Sequence, residues 1–243
     1  MPVGQIGHLS PRDVLCCLQE ESPVDEHLEL KRQIVEAGVH MIRTGLVYGT
    51  GGNISARLPG MNYFYITPSG MAYESLKPED IVGVDFDGRV VEGARRPSIE
   101  HMMHANILRA RPDVGAVVHT HSMYATAVAS ARVPIPPFLE TLIATTGGHE
   151  IKVAEFAPAG SRELAEIAVR TLGGDSAVLL ANHGVIGVGR DLDEAMGVCE
   201  VVEKAAMVFL LSRLAGGPVP IPQETVARQA EFFKARYGQG RGR

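Results

Sequence analysis

Short apolar runs and helix-length amphipathic stretches take turns along this chain, separated by glycine, proline and aspartate. The runs have strand length and the periodic stretches have helix length. The pattern therefore predicts an α/β fold, one sheet with helices packed on its faces. Strands are expected at Ile54–Leu58, Tyr63–Ile66, Ile81–Phe86, Val90–Val91, Ala116–Thr120, Lys152–Phe156, Ala177–Leu180 and Val185–Val188. Asp87-Gly88 between two runs is a hairpin signal, and such signals favour a mixed sheet over a doubly wound parallel one. A helix is expected after Ser22-Pro23-Val24-Asp25, with Leu30, Ile34, Ala37 and Met41 as its apolar row and Gly45 as its stop. Others are expected from Ser98 to about Arg109, around Tyr124–Ser130, over Ser161–Leu172, and from Asp191 to about Leu214. Ser161 lacks the acid or amide that would complete a capping box, since Leu164 stands there, whereas Asp191-x-x-Glu194 has one. Ser10-Pro11-Arg12-Asp13 predicts a further helix start. Residues 1–27 thus read as an N-terminal helical extension of one domain spanning residues 1–243.

Composition removes several classes of function. Among 243 residues, 23 Lys and Arg face 28 Asp and Glu, a net charge of -5. A phosphate backbone needs a basic surface, so no nucleic acid partner is expected. There is no tryptophan, and aromatics make up 5%, which argues against base-stacking platforms. No apolar stretch approaches the about 18–20 residues that span a bilayer, so no membrane partner is expected. The first residues lack the basic segment and apolar run of a secretory signal. Cys16 and Cys17 are adjacent and Cys199 is remote, which suits reduced thiols and a cytoplasmic protein.

The strongest chemical signal is Val117-Val118-His119-Thr120-His121. Residues two apart in a strand share a face, with side-chain origins about 6.5–7 Å apart. Two imidazoles so placed can converge on one metal at about 2.0–2.1 Å; otherwise they are two histidines on a strand edge. His183 lies between Asn182 and Gly184, where a glycine lets the chain turn tightly and leaves the histidine at a strand end. Glu100, two residues into the helix expected from Ser98, can complete three histidines as a fourth ligand and move a proton, or simply complement the helix dipole. Gly49-Thr50-Gly51-Gly52-Asn53 lacks the features of a P-loop or dinucleotide fingerprint. Its amides can still line an anion site, as can the turn Thr67-Pro68-Ser69-Gly70. His104, one helical turn from Glu100, is a candidate neighbour of that carboxylate.

Five stretches in this order, Gly49–Ser55, Ile66–Gly70, Pro97-Ser98-x-Glu100 followed by His104, Arg111–His121 and Asn182–Gly184, resemble the class II aldolase/adducin family. The resemblance runs from about Leu28 to the C-terminus. It implies a three-layer α/β/α sandwich around a central, mostly antiparallel (mixed) sheet, and a homotetramer with active sites at subunit interfaces. It implies that His119, His121 and His183 bind Zn2+ (or Mn2+/Co2+). Glu100 would be both ligand and catalytic acid/base, with Gly52, Asn53, Ser69, Gly70 and Ser98 at phosphate-binding positions. Tyr237 matches a catalytic tyrosine lent to a neighbouring subunit. The activity implied is a carbon–carbon lyase, retro-aldol cleavage of a phosphorylated ketose through a metal-stabilised enediolate.

Two positions depart from the family's sugar-phosphate aldolases. A pair of serines before the glutamate is Ser98-Ile99 here, and another catalytic tyrosine position is Thr141. Losing a hydroxyl donor to a phosphate forfeits about 1.5–3 kcal/mol if nothing replaces it. The same apparatus also suits a decarboxylase of hydroxylated, including aromatic, acids. Two further readings are a Schiff-base lyase using Lys152 and a noncatalytic adducin-type scaffold, which would be expected to lack the metal ligands.

Overall fold

The computed structural model describes residues 25–236. The helix start at Ser10, the Cys16-Cys17 pair and Tyr237 lie outside the described residues. The elements are α1 (Glu26–Arg43), β1 (Asn53–Ala56), β2 (Tyr63–Ile66), β3 (Val82–Asp85), β4 (Val90–Glu92), α2 (His101–Ala110), β5 (Ala116–Thr120), α3 (Met123–Ser130), α4 (Glu140–Thr146), β6 (Lys152–Ala154), α5 (Arg162–Leu172), β7 (Ala177–Leu180), β8 (Gly184–Gly189), α6 (Leu192–Arg213) and α7 (Gln223–Arg236). The strands form one sheet in the order β4-β3-β2-β1-β5-β8-β7-β6. Only β6 and β7 run parallel, so the sheet is mixed and mostly antiparallel.

Strand alternation decides which helices cover which face. Val117 of β5, with Phe64, Ile66, Val178 and Ile186, packs against Ile107 and Leu108 of α2 and Leu164 and Ala168 of α5. Its neighbour Val118 points the other way, joining Ile54 and Tyr65 against Ile34 and Met41 of α1 and Ala195 and Cys199 of α6. Further along that second face, Leu179 and Val185 meet Ala125 of α3, Leu142 of α4 and Val202 and Phe209 of α6. Both faces are thus covered, which makes the three-layer α/β/α sandwich. Every residue of β5 is buried, because the strand is central and closed on both sides.

Helix ends follow local chemistry closely, with three corrections. The cap of α1 is Asp25, whose carboxylate accepts from the amides of His27 and Leu28, rather than Ser22. The helix closes with the amides of Gly45 and Leu46 returning to the carbonyls of Ile42 and Met41, a Schellman ending. The second correction concerns α2, which begins at His101 and not at Ser98. The amide of Ser98 donates to Thr67 at 3.0 Å, and Pro68 and Pro97 form an antiparallel bridge. Sheet-like pairing therefore holds residues 97–98 extended, and Glu100 sits at the helix-cap position without capping it. In α6 the Asp191 carboxylate takes the Glu194 amide at 2.8 Å, while Glu194 accepts from Arg190 instead of closing the box on Asp191.

Two helices have no counterpart among the sequence expectations. α4 is seven residues long and ends in two threonines, too short for a period to show. α7 is largely polar, and among its described side chains only Val226 is buried. The core prediction is concrete. Leu108→Ala removes a fully buried side chain from the α2–α5 layer, and should cost about 2–5 kcal/mol. Urea denaturation followed by circular dichroism checks it.

Candidate metal centre

The C-terminal end of β5 is fixed on both sides. His119 pairs with Asn53 of β1 and with Ile186 of β8, so its backbone cannot shift without breaking two ladders. Its ring is fully buried, and Nδ1 donates to the Val185 carbonyl at 3.0 Å. That bond leaves Nε2 without a proton and turned towards His121 and His183. His121 follows two residues later on the same side, its Nε2 3.0 Å from that of His119.

His183 arrives from the β7–β8 turn. Asn182 before it adopts the left-handed conformation (φ 57), which asparagine tolerates better than most residues. Gly184 after it is required by close approach rather than by a turn conformation. A Cβ there would lie 2.2 Å from the Thr120 carbonyl oxygen. The tight turn expected of Gly184 is made by Asn182 instead, and the reason for the glycine is β8 pressing on β5. The His183 Nε2 then lies 3.3 Å from that of His119.

Glu100 completes the group. Its Oε2 is 3.3 Å from His119 Nε2, and its Oε1 is 3.6 Å from His183 Nε2. One ligand atom from each of Glu100, His119, His121 and His183 lies within 4.8 Å of the others. Oε1 is buried and has no hydrogen-bond partner. Burial, then the charges of His121 and His183, hold the His119 ring neutral, well below the usual imidazole range. Burial and His183 lower His121 too, against the opposing charge of Glu100. Imidazole nitrogens 3.3 Å apart, as in His119 and His183, match the edge of a tetrahedron with bonds of about 2.0–2.1 Å. The donor set and the orphaned carboxylate oxygen fit a divalent cation.

Glu100 is held by a hydrogen-bond chain that the motifs alone did not show. Asn53 Nδ2 donates to Glu100 Oε2 at 2.9 Å, which leaves Asn53 Oδ1 to accept from His104 Nε2 at 2.5 Å. His104 Nδ1 then accepts from the Ser55 hydroxyl at 2.7 Å. Both ends of the Asn53 amide are taken, and His104 is a neutral ring with its proton on Nε2. Ser55 was legible only as the residue two beyond Asn53 on the same strand face. The bond from His119 to the Val185 carbonyl had no signal in residue types.

Of the positions read as anion-binding, Asn53 and Ser98 contact Glu100 directly. Gly52 has φ 71, and a Cβ there would lie 2.5 Å from the His119 carbonyl oxygen, so the glycine loop rests directly on β5. Tyr73 anchors that loop by donating to the carbonyls of Gly51 and Gly52 at 3.1 and 2.8 Å, and burial raises its phenol pKa. Ser98 is buried, its hydroxyl accepting from the Glu100 amide at 3.2 Å, while Ser69 and Gly70 are exposed on the facing turn. Ile99 is 62% exposed, an apolar side chain where a donor was expected. Thr141 is exposed on α4. Lys152 lies on edge strand β6 and pairs with Asp175 at 2.8 Å, which removes the reason for a Schiff-base lysine there. Cys199 is buried against the sheet, its thiol pushed up to about 12 by burial, which leaves it an inert core thiol.

Comparison with known proteins agrees with this geometry. Residues 32–210 match the model of the class II aldolase and adducin N-terminal domain. The chain belongs to this family. A 5-deoxy-D-ribulose 1-phosphate aldolase of Bacillus thuringiensis is 38% identical over 209 residues, 86% of this chain and 97% of that one. An L-fuculose phosphate aldolase of Escherichia coli is 38% identical over 214 residues, 88% of this chain and 97% of that one. A solved L-fuculose 1-phosphate aldolase superposes with a TM-score of 0.81 at 39% identity, covering 85% of this chain and 96% of that one. With aldolases as its relatives and the ligand cluster in place, this class II family member is an enzyme of the lyase class. Among the described residues no helix is long and apolar enough to cross a membrane.

The buried chain at Glu100 has a pH signature. Burial, aided by His119 and opposed by Glu100, pushes the His104 ring down to about 3, from 6.5 for a free imidazole. The folded value lies below the unfolded one, so the unfolded chain takes up this proton first as pH falls. The stability involved is fully present above about pH 6.5 and is lost towards about pH 3, at about 1.4 kcal/mol per pH unit. His104→Gln can keep both hydrogen bonds but cannot titrate. Its stability should fall less steeply between pH 6.5 and 4 than that of the parent, as urea denaturation at stepped pH will show; equal slopes would contradict the assignment.

Proposed function

We propose that the chain cleaves a ketose 1-phosphate by a retro-aldol reaction that depends on a divalent cation, zinc foremost and manganese or cobalt as alternatives. The observation that carries this reading is the convergence of Glu100, His119, His121 and His183 beside a buried carboxylate oxygen that has no other partner. Three imidazoles and a carboxylate suit these ions, and the relatives named for 5-deoxy-D-ribulose 1-phosphate and L-fuculose phosphate support the substrate class.

When bound, the cation supplies Lewis-acid stabilisation of negative charge on nearby substrate oxygens. The chain's own groups do the rest. His119, locked by the Val185 carbonyl, keeps its ring from rotating. Glu100 is tethered through Oε2 to Asn53, which leaves Oε1 to carry the proton. As the carbon–carbon bond breaks, its electron pair stays with the phosphorylated fragment, and Glu100 delivers a proton to that carbon. Gly52, Asn53, Ser69, Gly70 and Ser98 surround the phosphate end. The Asn53 side-chain amide is engaged by Glu100 and His104, so its part there is to hold Glu100 beside the phosphate end. Tyr237 orients the substrate hydroxyl that becomes the aldehyde oxygen and relays its proton to solvent as that carbonyl forms.

The reading includes a homotetramer in which Tyr237 serves a neighbouring copy's site. Leu214 and Val219, 87% and 85% exposed on the isolated chain, are apolar surface of the kind that subunit contacts cover. A cytoplasmic setting suits the reduced, buried Cys199.

Purified protein should release dihydroxyacetone phosphate from L-fuculose 1-phosphate or 5-deoxyribulose 1-phosphate, and chelation should abolish this. Release of CO2 from hydroxy-aromatic dicarboxylates, with no aldehyde from either ketose phosphate, would establish the decarboxylase instead. Glu100→Gln should lower kcat by about 10²–10⁴-fold while metal content by elemental analysis stays near the parent value. Analytical ultracentrifugation reads the assembly, and Tyr237→Phe should lower kcat without dissociating it.

A further inference from the structure

Residues 67–69 and 96–98 form a short antiparallel ladder outside the main strands. Pro68 faces Pro97, the Ser69 amide donates to the Arg96 carbonyl at 3.0 Å, and the Ser98 amide donates to Thr67 at 3.0 Å. This register sets Ser69 directly opposite Arg96, and residues directly opposite share a face with Cβ atoms about 4.5–5.5 Å apart. Ser98 follows Arg96 by two residues and so lies on that same face. Glu100 is two residues further on.

The two adjacent arginines have separate fates. Arg95 is spoken for: its Nε and a terminal nitrogen each lie 2.8 Å from the Asp80 carboxylate. Arg96 is exposed and makes no side-chain hydrogen bond or ion pair among the described residues. An uncompensated guanidinium therefore stands across from the Ser69 hydroxyl, one alternation from Ser98. Next to it, Ile99 presents an apolar chain that offers a dianion nothing. A phosphate needs several donors, and a guanidinium gives two from one planar fork with a full charge.

We propose that Arg96 is a substrate-binding residue, the charge-assisted donor to the substrate's phosphate that replaces the hydroxyl missing at Ile99, and that it makes this enzyme selective for phosphorylated over unphosphorylated ketoses. The proposal deepens the lyase reading and rests on it only for the identity of the substrate. The anion site itself is testable without turnover.

The test titrates inorganic phosphate into full-length, metal-loaded protein by isothermal calorimetry, for the parent, R96A, R96K and, as a control, R170A on the outer helix α5. R96A should weaken phosphate binding by about tenfold or more, R96K should fall between, and R170A should match the parent. Binding by R96A within twofold of the parent, or no phosphate binding by the parent, overturns the proposal. Thermal melts of R96A and R96K confirm that the exposed substitutions leave the fold intact. Kinetics on a ketose 1-phosphate then adds a second readout, since R96A should raise KM far more than it lowers kcat. If phosphate binding depends on Arg96 but no ketose phosphate is cleaved, the anion site stands and the lyase reading fails.

Discussion

A carboxylate taken out of water needs a partner for each oxygen, and Glu100 is the group around which this fold is arranged. It is 5% exposed, with Oε2 bonded to Asn53 and 3.3 Å from His119, and Oε1 3.6 Å from His183. Leaving such a charge uncompensated costs several kcal/mol. The surroundings answer it from two directions. On one side the Ser55, His104 and Asn53 chain ends in a donor to Oε2. On the other, the nitrogens of His119, His121 and His183 converge with it, and a divalent cation held there would neutralise the carboxylate it shares. Packing of α2 on the sheet, the register of β1 on β5 and the approach of β8 all serve to hold these groups within bonding range.

Much of this was legible because strand geometry is simple. His119 and His121 share a side by the two-residue period, and the structure needs only a central strand to realise it. Tyr63–Ile66, Ala116–Thr120 and Ala177–Leu180 are strands with the expected bounds, each being a continuous apolar or β-branched run. What failed was set by partners distant in sequence. Ser98 looks like a helix cap until the Thr67 carbonyl claims its amide. Gly184 looks like a turn glycine until the Thr120 carbonyl is found where its Cβ would be. No motif signalled that the Asn53 side chain would bridge Glu100 and His104. α7 escaped because its stability comes from one buried valine and contacts with α4, such as Gln229 to Glu140 at 2.6 Å, and not from an apolar stripe.

The glycine loop and the Thr67–Gly70 turn show how the cation end and the anion end are built as one piece. Gly52 touches the His119 carbonyl, and Gly51 would crowd the His121 ring if it bore a side chain. Tyr73 ties the same loop to the α1 side of the sheet. A loop so placed cannot drift from the histidines. A substrate that spans both ends therefore meets a separation fixed by backbone contacts, the kind of preorganisation that lowers the cost of orienting a reactant.

That separation also bounds the size of the substrate. Arg96 and Glu100 are four residues apart, so their Cα atoms are at most about 14 Å apart even with the segment fully extended. The turn from Ser98 to His101, closed by a 3.1 Å backbone bond, shortens the real span. In the proposed pose the guanidinium of Arg96 holds one end of the substrate and Glu100 the other. What fits between a phosphate on Arg96 and a carbon beside Glu100 is a chain of a few carbons, not a polymer or a nucleotide. On the proposed role of Arg96, the covalent spacing of Arg96, Ser98 and Glu100 would select a short phosphorylated ketose by length, and the charge on Arg96 would select it by its phosphate.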